Sequence, residues 1–322
     1  MAEPLAAAAA TASRPAPSVA AVVVNYNAAA YLTGCVASLR AEGLADVVVV
    51  DNGSVDGSGE VMAAADPGAR FLPTGRNLGY GGGANVGIRA TASDHVLVCN
   101  ADLTIEPGAV SAMVAALEAD PRRGIVGPLI RDPDGSLYPS VRTFPALGDA
   151  IGHAFLGLVA PDNRWSRRYK MLGWDHAVPA EVDWVSGACF LARRRLLDEL
   201  GGFDEAYFMY SEDVDLCWRA WRAGWKVAYE PAAEVVHVQG VSANRHPYRM
   251  IAAHHRSLLR FAARTTTGWR RGLLPVVAAG LALRALLAMV QRGAEGWSAR
   301  RGSGPGRAAP GPTGRSGTPS DP

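Results

Sequence analysis

The sequence predicts an α/β fold: a mostly parallel, Rossmann-like sheet flanked by helices, with a helical tail at the C-terminal end. Three observations predict it. Ala20–Val24, Val47–Val50 and Val96–Cys99 are unbroken apolar runs, the pattern of parallel strands buried on both faces. Segments with helical character separate these runs at short spacing, as strand–helix–strand units require. Each run ends in a short polar cluster, and open α/β sheets bind ligands beyond the carboxyl ends of their strands.

Taken in order, the run Ala20–Val24 is a strand and an amphipathic helix follows from about Tyr31 to Glu42. Val47–Val50 is the next strand, ending at Asp51-Asn52-Gly53-Ser54. Residues Ser58–Ala65 read as helix and Arg70–Leu72 as a short strand. A Gly-rich loop, Gly75–Gly83, leads to a helix from about Ala84 to Ala90, and Val96–Cys99 is another strand. Pro107 opens a helix to about Glu118, since a proline is tolerated in a first helical turn. Ile125–Ile130 and Ser136–Arg142 read as strands around the turn Asp132-Pro133-Asp134-Gly135. Residues 145–180 have weak periodicity and several aromatics, the mark of a mobile or substrate-specific insertion. Val182–Leu191 reads as a strand, and Arg193–Leu200 as a helix stopped by Gly201-Gly202. A helix over Glu212–Ala223 ends at Gly224; Val227–Tyr229 and Val235–His237 read as two closing strands.

The 322 residues suffice for one large domain or two smaller ones. A formal charge of +2 argues against a dedicated nucleic-acid binder. Cys35, Cys99, Cys189 and Cys217 form no C-x-x-C pair and read as buried free thiols of a reducing compartment. Met1-Ala2-Glu3-Pro4 lacks the basic start of a secretion signal, so residues 1–17 read as a disordered leader. From about Ser298 the chain is rich in Gly, Pro, Ser and Arg and reads as a disordered tail. Between Arg245 and Arg271 lies an Arg-rich helix, followed by the apolar stretch Leu273–Val290, broken only by Arg284. That order fits a helix lying on an anionic membrane surface better than one crossing it. A helix packed on the main domain is the plainer alternative.

Four polar clusters follow predicted strands: Asn25-Tyr26-Asn27, Asp51-Asn52-Gly53-Ser54, Arg76-Asn77-Leu78-Gly79 and Asn100-Ala101-Asp102. One such cluster would be an ordinary turn with a helix cap; four along one sheet edge point to a nucleotide site. Asp51 can accept from the imide N–H of a uracil or thymine base, or simply close an Asx-turn. Arg76 can meet a diphosphate. Gly79-Tyr80-Gly81-Gly82-Gly83 opens a helix and lets backbone approach a ligand. It is not the dinucleotide fingerprint, which follows the first strand. Asp102 suits Mg²⁺ or Mn²⁺, which take one or two carboxylates plus substrate phosphates, and His237 is a further candidate ligand. Glu212-Asp213 opens a helix; Asp213 suits a general base for a sugar hydroxyl. Neighbours on a helix diverge by about 100°, so Glu212 points elsewhere. Both residues are also favoured at a helix start by the macrodipole.

These residues resemble a known family. Val22-Val23-Val24-Asn25-Tyr26-Asn27, Val50-Asp51-Asn52-Gly53-Ser54, Arg76-Asn77-Leu78-Gly79-Tyr80, Asn100-Ala101-Asp102, Trp184-Val185-Ser186-Gly187-Ala188 and Gly202-Phe203-Asp204-Glu205 with Ser211-Glu212-Asp213 are similar to family 2 glycosyltransferases of the GT-A fold. Within that family they most resemble bacterial rhamnosyltransferases, of the type that adds rhamnose to N-acetylglucosaminyl-diphospho-decaprenol. The resemblance covers roughly residues 19–240 and implies an inverting mechanism, a divalent metal, a nucleotide-sugar donor such as dTDP-rhamnose, a lipid-linked glycan acceptor, and Asp213 as base. It implies that Asn25, Asn27, Asp51, Asn52, Arg76, Asn77, Gly79, Asn100 and Ala101 line the donor. Asn100 stands where the family's metal motif has its first Asp. The Q-x-x-R-W motif of processive synthases is absent, which implies single sugar addition. On this basis the GT-A domain spans 18–244, with a donor half at 18–130 and an acceptor half at 131–244. A membrane-associating segment at 245–297 and the tail 298–322 follow, and the protein is expected to sit in the cytoplasm, peripheral on the inner face of the cell membrane. Two other readings stand beside this one: a nucleotidyltransferase making the activated sugar, and a non-catalytic module binding sugar nucleotides or membranes.

Overall fold

The computed structural model describes residues 16–144, 171, 173–239 and 247–302. The expected leader, apart from its last two residues, most of the 145–180 segment and the tail beyond 302 lie outside the described residues.

The chain begins β1 (Val19–Asn25), α1 (Ala29–Ala41), β2 (Asp46–Asp51), α2 (Ser58–Ala65), β3 (Arg70–Pro73), α3 (Tyr80–Ala90) and β4 (His95–Asn100). These four strands are parallel neighbours in the order β3-β2-β1-β4. Alternate residues of β1 serve opposite faces. Ala21 and Val23 pack with α1 residues Leu32, Val36 and Leu39. Val22 and Val24 pack with Ala84 and Ile88 of α3. That is why the run shows no polar alternation, and each buried valine contributes about 1.5–3 kcal/mol.

The Gly-rich segment departs from expectation. It is not a loop up to Gly83: α3 already begins at Tyr80, and Gly81, Gly82 and Gly83 lie buried inside it. Their missing side chains bring the helix close to protein. A Cβ on Gly87 would lie 2.3 Å from Val22 and one on Gly83 3.2 Å from Val24.

The sheet continues through β5 (Leu103–Ile105), α4 (Ala109–Glu118), β6 (Arg123–Arg131), β7 (Leu137–Tyr138), β8 (Val141–Arg142), β9 (Ala180–Glu181), β10 (Trp184–Val185) and β11 (Cys189–Arg193). After α5 (Arg194–Leu200) and α6 (Glu212–Arg222) comes β12 (Lys226–His237). Past β4 the order is β11-β6-β12-β5, with β11 antiparallel to both its neighbours and β6 parallel to β12. The two closing strands of the sequence reading are one strand. Its register on β6 shifts between Glu230 and Glu234, across Pro231, where a bulge accommodates a residue that cannot donate to the ladder. The single strand expected over Val182–Leu191 is divided among β10 and β11, and Leu103–Ile105 is a strand too short to read from pattern.

The C-terminal segment also divides. α7 (Pro247–Thr265) buries Ser257 and Phe261 against the main domain. α8 (Leu274–Gly302) folds back along α7: a Cβ on Gly293 would meet Tyr248 at 3.5 Å. It runs past the boundary expected at Ser298. Its outer face is apolar and open, with Val276 70%, Leu286 58% and Val290 62% exposed. Gly268–Ala294 is long and apolar enough to cross a membrane by length and composition.

Candidate active site

At the carboxyl edge of β1 and β2, Asn25 donates through Nδ2 to Asp51 Oδ1 at 2.9 Å and to Ser54 Oγ at 3.1 Å. Asp51 Oδ2 accepts from Ser54 N–H at 3.2 Å, so the Asx-type turn is formed. Two oxygens of a carboxylate offer about four acceptor positions, and two remain for a ligand. Asn25 Oδ1 is buried without a partner among the described residues. Asn27, in the left-handed region at φ 53, accepts from Val55 N–H at 2.8 Å.

Asn52 and Asn77 also bond within the protein. Asn52 donates to Gly79 O at 2.9 Å and to Asn77 Oδ1 at 3.3 Å, and accepts from Leu78 N–H at 2.9 Å. Asn77 Oδ1 also accepts from Gly79 N–H at 2.8 Å. The two amides tie the edge of β2 to the start of α3. Gly79 makes its close approach to Phe208, not to open space, and the Ala101 side chain is in the core. Arg76 is exposed at this rim, its backbone against Gly53.

Asn100, Asp102 and His237 do come together. β12 ends antiparallel to β5, which pairs His237 with Leu103. His237 Nε2 lies 3.2 Å from Asp102 Oδ1 and 3.2 Å from Asn100 Nδ2. Its Nδ1 is buried without a partner among the described residues.

The Glu212–Asp213 pair opens α6 after two residues in the left-handed region, Tyr210 at φ 67 and Ser211 at φ 62. Such a conformation costs a non-glycine residue about 1–3 kcal/mol. Asp213 Oδ2 accepts from Gly187 N–H at 2.9 Å and Oδ1 from Val214 N–H at 2.8 Å. Burial raises the Asp213 carboxyl above its ordinary range; the Gly187 and Val214 N–H groups and the Arg142 guanidinium work against that rise. Burial and then the Asp213 charge push Glu212 much further up, and its Oε2 has no partner among the described residues. Two adjacent carboxyls in one buried site resist ionising together.

Gly187 joins the separate motifs. Its N–H holds Asp213, its carbonyl accepts from Tyr80 Oη of α3, and the next carbonyl, Ala188 O, accepts from Asn100 N–H at 2.9 Å. One peptide step therefore separates the Asp102 turn from the base candidate. Tyr80 and Gly187 stand in motifs that carry the family resemblance, but sequence reasoning gave neither side chain nor peptide this joining role. Arg142, stacked 5.2 Å from the Trp184 ring, was missed likewise. The cysteines are all free and buried. Burial drives the Cys217 thiol up to about 12, so it is no nucleophile.

The glycosyl transferase family 2 profile matches residues 20–201, more than half of the chain. The chain belongs to glycosyl transferase family 2. A second profile, glycosyl transferase family group 2, matches residues 158–297. Over 282 residues this family 2 member is 42% identical to the N-acetylglucosaminyl-diphospho-decaprenol L-rhamnosyltransferase of Mycobacterium tuberculosis, covering 83% of this chain and 91% of that protein. It is 29% identical to rhamnosyltransferase WbbL of Escherichia coli K12, over 59% of this chain and 72% of that one. Among solved structures, the mannosyltransferase PcManGT of Pyrobaculum calidifontis, in complex with GDP-Man and Mn²⁺, superposes with TM-score 0.55 at 18% identity, over 86% of this chain and 75% of that chain. GalNAc-T7 with UDP, GalNAc and Mn²⁺ gives 0.51 at 16% identity, over 69% of this chain and 44% of that one. At such identities these two speak to the fold, which is the expected GT-A type. Family membership makes the protein a glycosyltransferase, against the nucleotidyltransferase and non-catalytic readings.

Proposed function

We propose that this glycosyltransferase moves L-rhamnose from dTDP-rhamnose, with inversion, to a lipid-linked glycan acceptor in cell-wall or surface-polysaccharide synthesis. The observation that carries the reaction is the Gly187 junction, which sets the Asp213 carboxylate beside the Asn100–Asp102 turn. The relative from Mycobacterium tuberculosis supports the choice of sugar and acceptor.

In this reading Asn25, Asn27 and Asp51 receive the base, with the unpartnered Asn25 Oδ1 and the free acceptor positions of Asp51 meeting a nucleobase donor. Arg76 answers the diphosphate from the rim. Asn52, Asn77 and Gly79 shape the site from beneath, and Asn100 and Ala101 carry its floor. Asp213 takes the proton of the acceptor hydroxyl; its N–H donors hold one carboxylate orientation, and burial makes it a stronger base than a solvated aspartate. Glu212 keeps the pair's proton.

A divalent ion fits the residues present. Asp102 and His237 set a carboxylate oxygen and an imidazole nitrogen 3.2 Å apart, and Mg²⁺ or Mn²⁺ in such enzymes needs one or two protein ligands beside substrate phosphates. Asn100 can add a carbonyl oxygen by rotating its amide. Bound there, the ion supplies positive charge to the departing nucleoside diphosphate.

For a lipid-linked acceptor, α8 supplies an apolar outer face and Arg270 and Arg271 an exposed basic flank. In this reading α8, with α7 along one side and apolar residues open on the other, lies on the cytoplasmic face of the membrane. The first test is a thermal-shift screen of nucleotide sugars with Mg²⁺ or Mn²⁺. A donor at about 100 times its Kd stabilises by about 2.7 kcal/mol. dTDP-rhamnose should stabilise only with metal; a larger effect from a UDP- or GDP-sugar would overturn the choice of donor.

A further inference from the structure

Residues Tyr207–Ser211 lead into the carboxyl pair, and their backbone is held from two sides. On the inner side, Tyr80 N–H of α3 donates to Phe208 O at 3.0 Å. On the outer side, α7 contacts four consecutive residues. Arg260 lies 5.2 Å from the Tyr207 ring and Arg249 5.2 Å from the Phe208 ring. Ser257 Oγ, on a residue 5% exposed, donates to Met209 O at 2.8 Å. The His254 ring meets the Tyr210 ring edge-on, with centroids 5.1 Å apart. α7 also reaches α6: Arg264 Nε lies 3.2 Å from Asp215 Oδ1, a carboxylate with no exposed surface.

Tyr210 and Ser211 both stand in the left-handed region that ordinary residues avoid. Ser211, the N-cap of α6, makes no side-chain capping bond. The turn therefore does not lock itself. A relaxation of either residue would swing Glu212 and Asp213 relative to the Gly187 N–H. α3 holds the turn only at Phe208; at Met209 and Tyr210, next to the carboxyl pair, the contacts that oppose this come from α7.

We propose that α7 is the clamp that aims Asp213, with Ser257 and His254 as positioning residues that act through the turn without touching substrate. This rests on Asp213 being the base, and the variants are chosen to separate the two. The full chain is assayed with dTDP-rhamnose and a lipid-diphosphate-linked N-acetylglucosamine acceptor. Ser257→Ala and His254→Ala should each lower kcat by a factor on the order of 10 to 100, since small misplacements of a catalytic group are that costly. Donor KM should stay within about twofold, because the donor half is untouched. His254→Phe keeps an aromatic edge against Tyr210 and should restore kcat. In an Asp213→Asn background, Ser257→Ala should have no further effect, because no base is left to misplace. Unchanged kcat in both alanine variants would overturn the clamp, as would an equal further fall in the Asp213→Asn background, which marks general loss of structure. If Ser257→Ala fails to fold, the His254 pair decides alone: loss with Ala and recovery with Phe, or the clamp is wrong. An Asp213→Asn protein with normal kcat would instead refute the base.

Discussion

Replacing Gly79 by alanine should damage stability and turnover together. Gly79 sits at φ 81, ψ 172, a region populated almost only by glycine and worth about 1–3 kcal/mol of strain to any other residue. The new Cβ would stand 2.1 Å from Phe208 O, where a carbon–oxygen contact needs about 3.3 Å. The two backbones must part by about 1 Å. That breaks the Tyr80 N–H bond to Phe208 O, now 3.0 Å, at a further cost of about 0.5–1.5 kcal/mol. Together these make about 2–4 kcal/mol, a fall in Tm of about 5–15 °C for a domain of this size. Phe208 is five residues from Asp213, so the shift reaches the base, and a displacement near 1 Å lowers kcat by about 10²-fold. Differential scanning fluorimetry and initial rates with dTDP-rhamnose measure both. Gly43→Ala is the control: it also has φ +81, but nothing lies within 4 Å of its Cβ. If both substitutions lower Tm equally and leave kcat alone, the close approach at Phe208 has no role.

Asp213→Asn should keep donor affinity and lower kcat by a factor on the order of 10²–10⁴, read from steady-state kinetics at saturating donor. Asp102→Ala should remove the metal-dependent part of the donor thermal shift and abolish transfer; retention of both would refute it as a ligand. Glu212→Gln should raise Tm at pH 7. The folded Glu212 holds its proton more tightly than the ordinary 4.5 of a free carboxyl, so stability falls as pH rises above that value, and the gain should vanish as pH approaches 4. Truncation after Gly272 should leave a folded enzyme that no longer co-sediments with phosphatidylglycerol vesicles. Truncation after residue 246 should yield insoluble or inactive protein, because Phe261 and Arg264 leave buried partners behind.

Local signals carried the donor half. Val22-Val23-Val24 and Val47–Val50 are buried on both faces and read so, and the polar residues that end them lie at one edge. What pattern could not show were contacts made across the chain. Asn52 and Asn77 have the residue type of ligand groups, and pattern could not show that Asn52 Nδ2 and Asn77 Oδ1 also tie β2 to the start of α3. The glycines of α3 signal close approach without saying to what; the sheet and Phe203 are what they meet. The Arg-rich run after Arg245 reads as facing lipid because arginine serves an anionic surface and an internal ion pair equally well. Only the fold shows that Arg260 and Arg264 answer Asp204, while the apolar face belongs to α8.

The two carboxyls at the start of α6 are told apart by their neighbours rather than by their order in the chain. Both are lifted by burial, so the question is which gives up its proton first. Asp213 has an N–H aimed at each of its oxygens and the Arg142 charge nearby, and hydrogen bonds to the ionised form favour that form. Glu212 has only its own backbone N–H acting that way, and its Oε2 has no partner among the described residues. The proton therefore rests on Glu212, and the charge on Asp213. A pair with two equally solvated carboxylates would carry two charges and repel. Here one neutral neighbour leaves Asp213 a single charge in a site that already resists ionisation, which makes it a willing acceptor of the sugar hydroxyl proton. The buried, unpartnered Glu212 reduces stability and sharpens the base. Exchanging it for glutamine should therefore keep Asp213 ionised and active at neutral pH, while Glu212→Lys would bury a cation beside the base and lower kcat by stabilising the carboxylate too strongly to accept a proton.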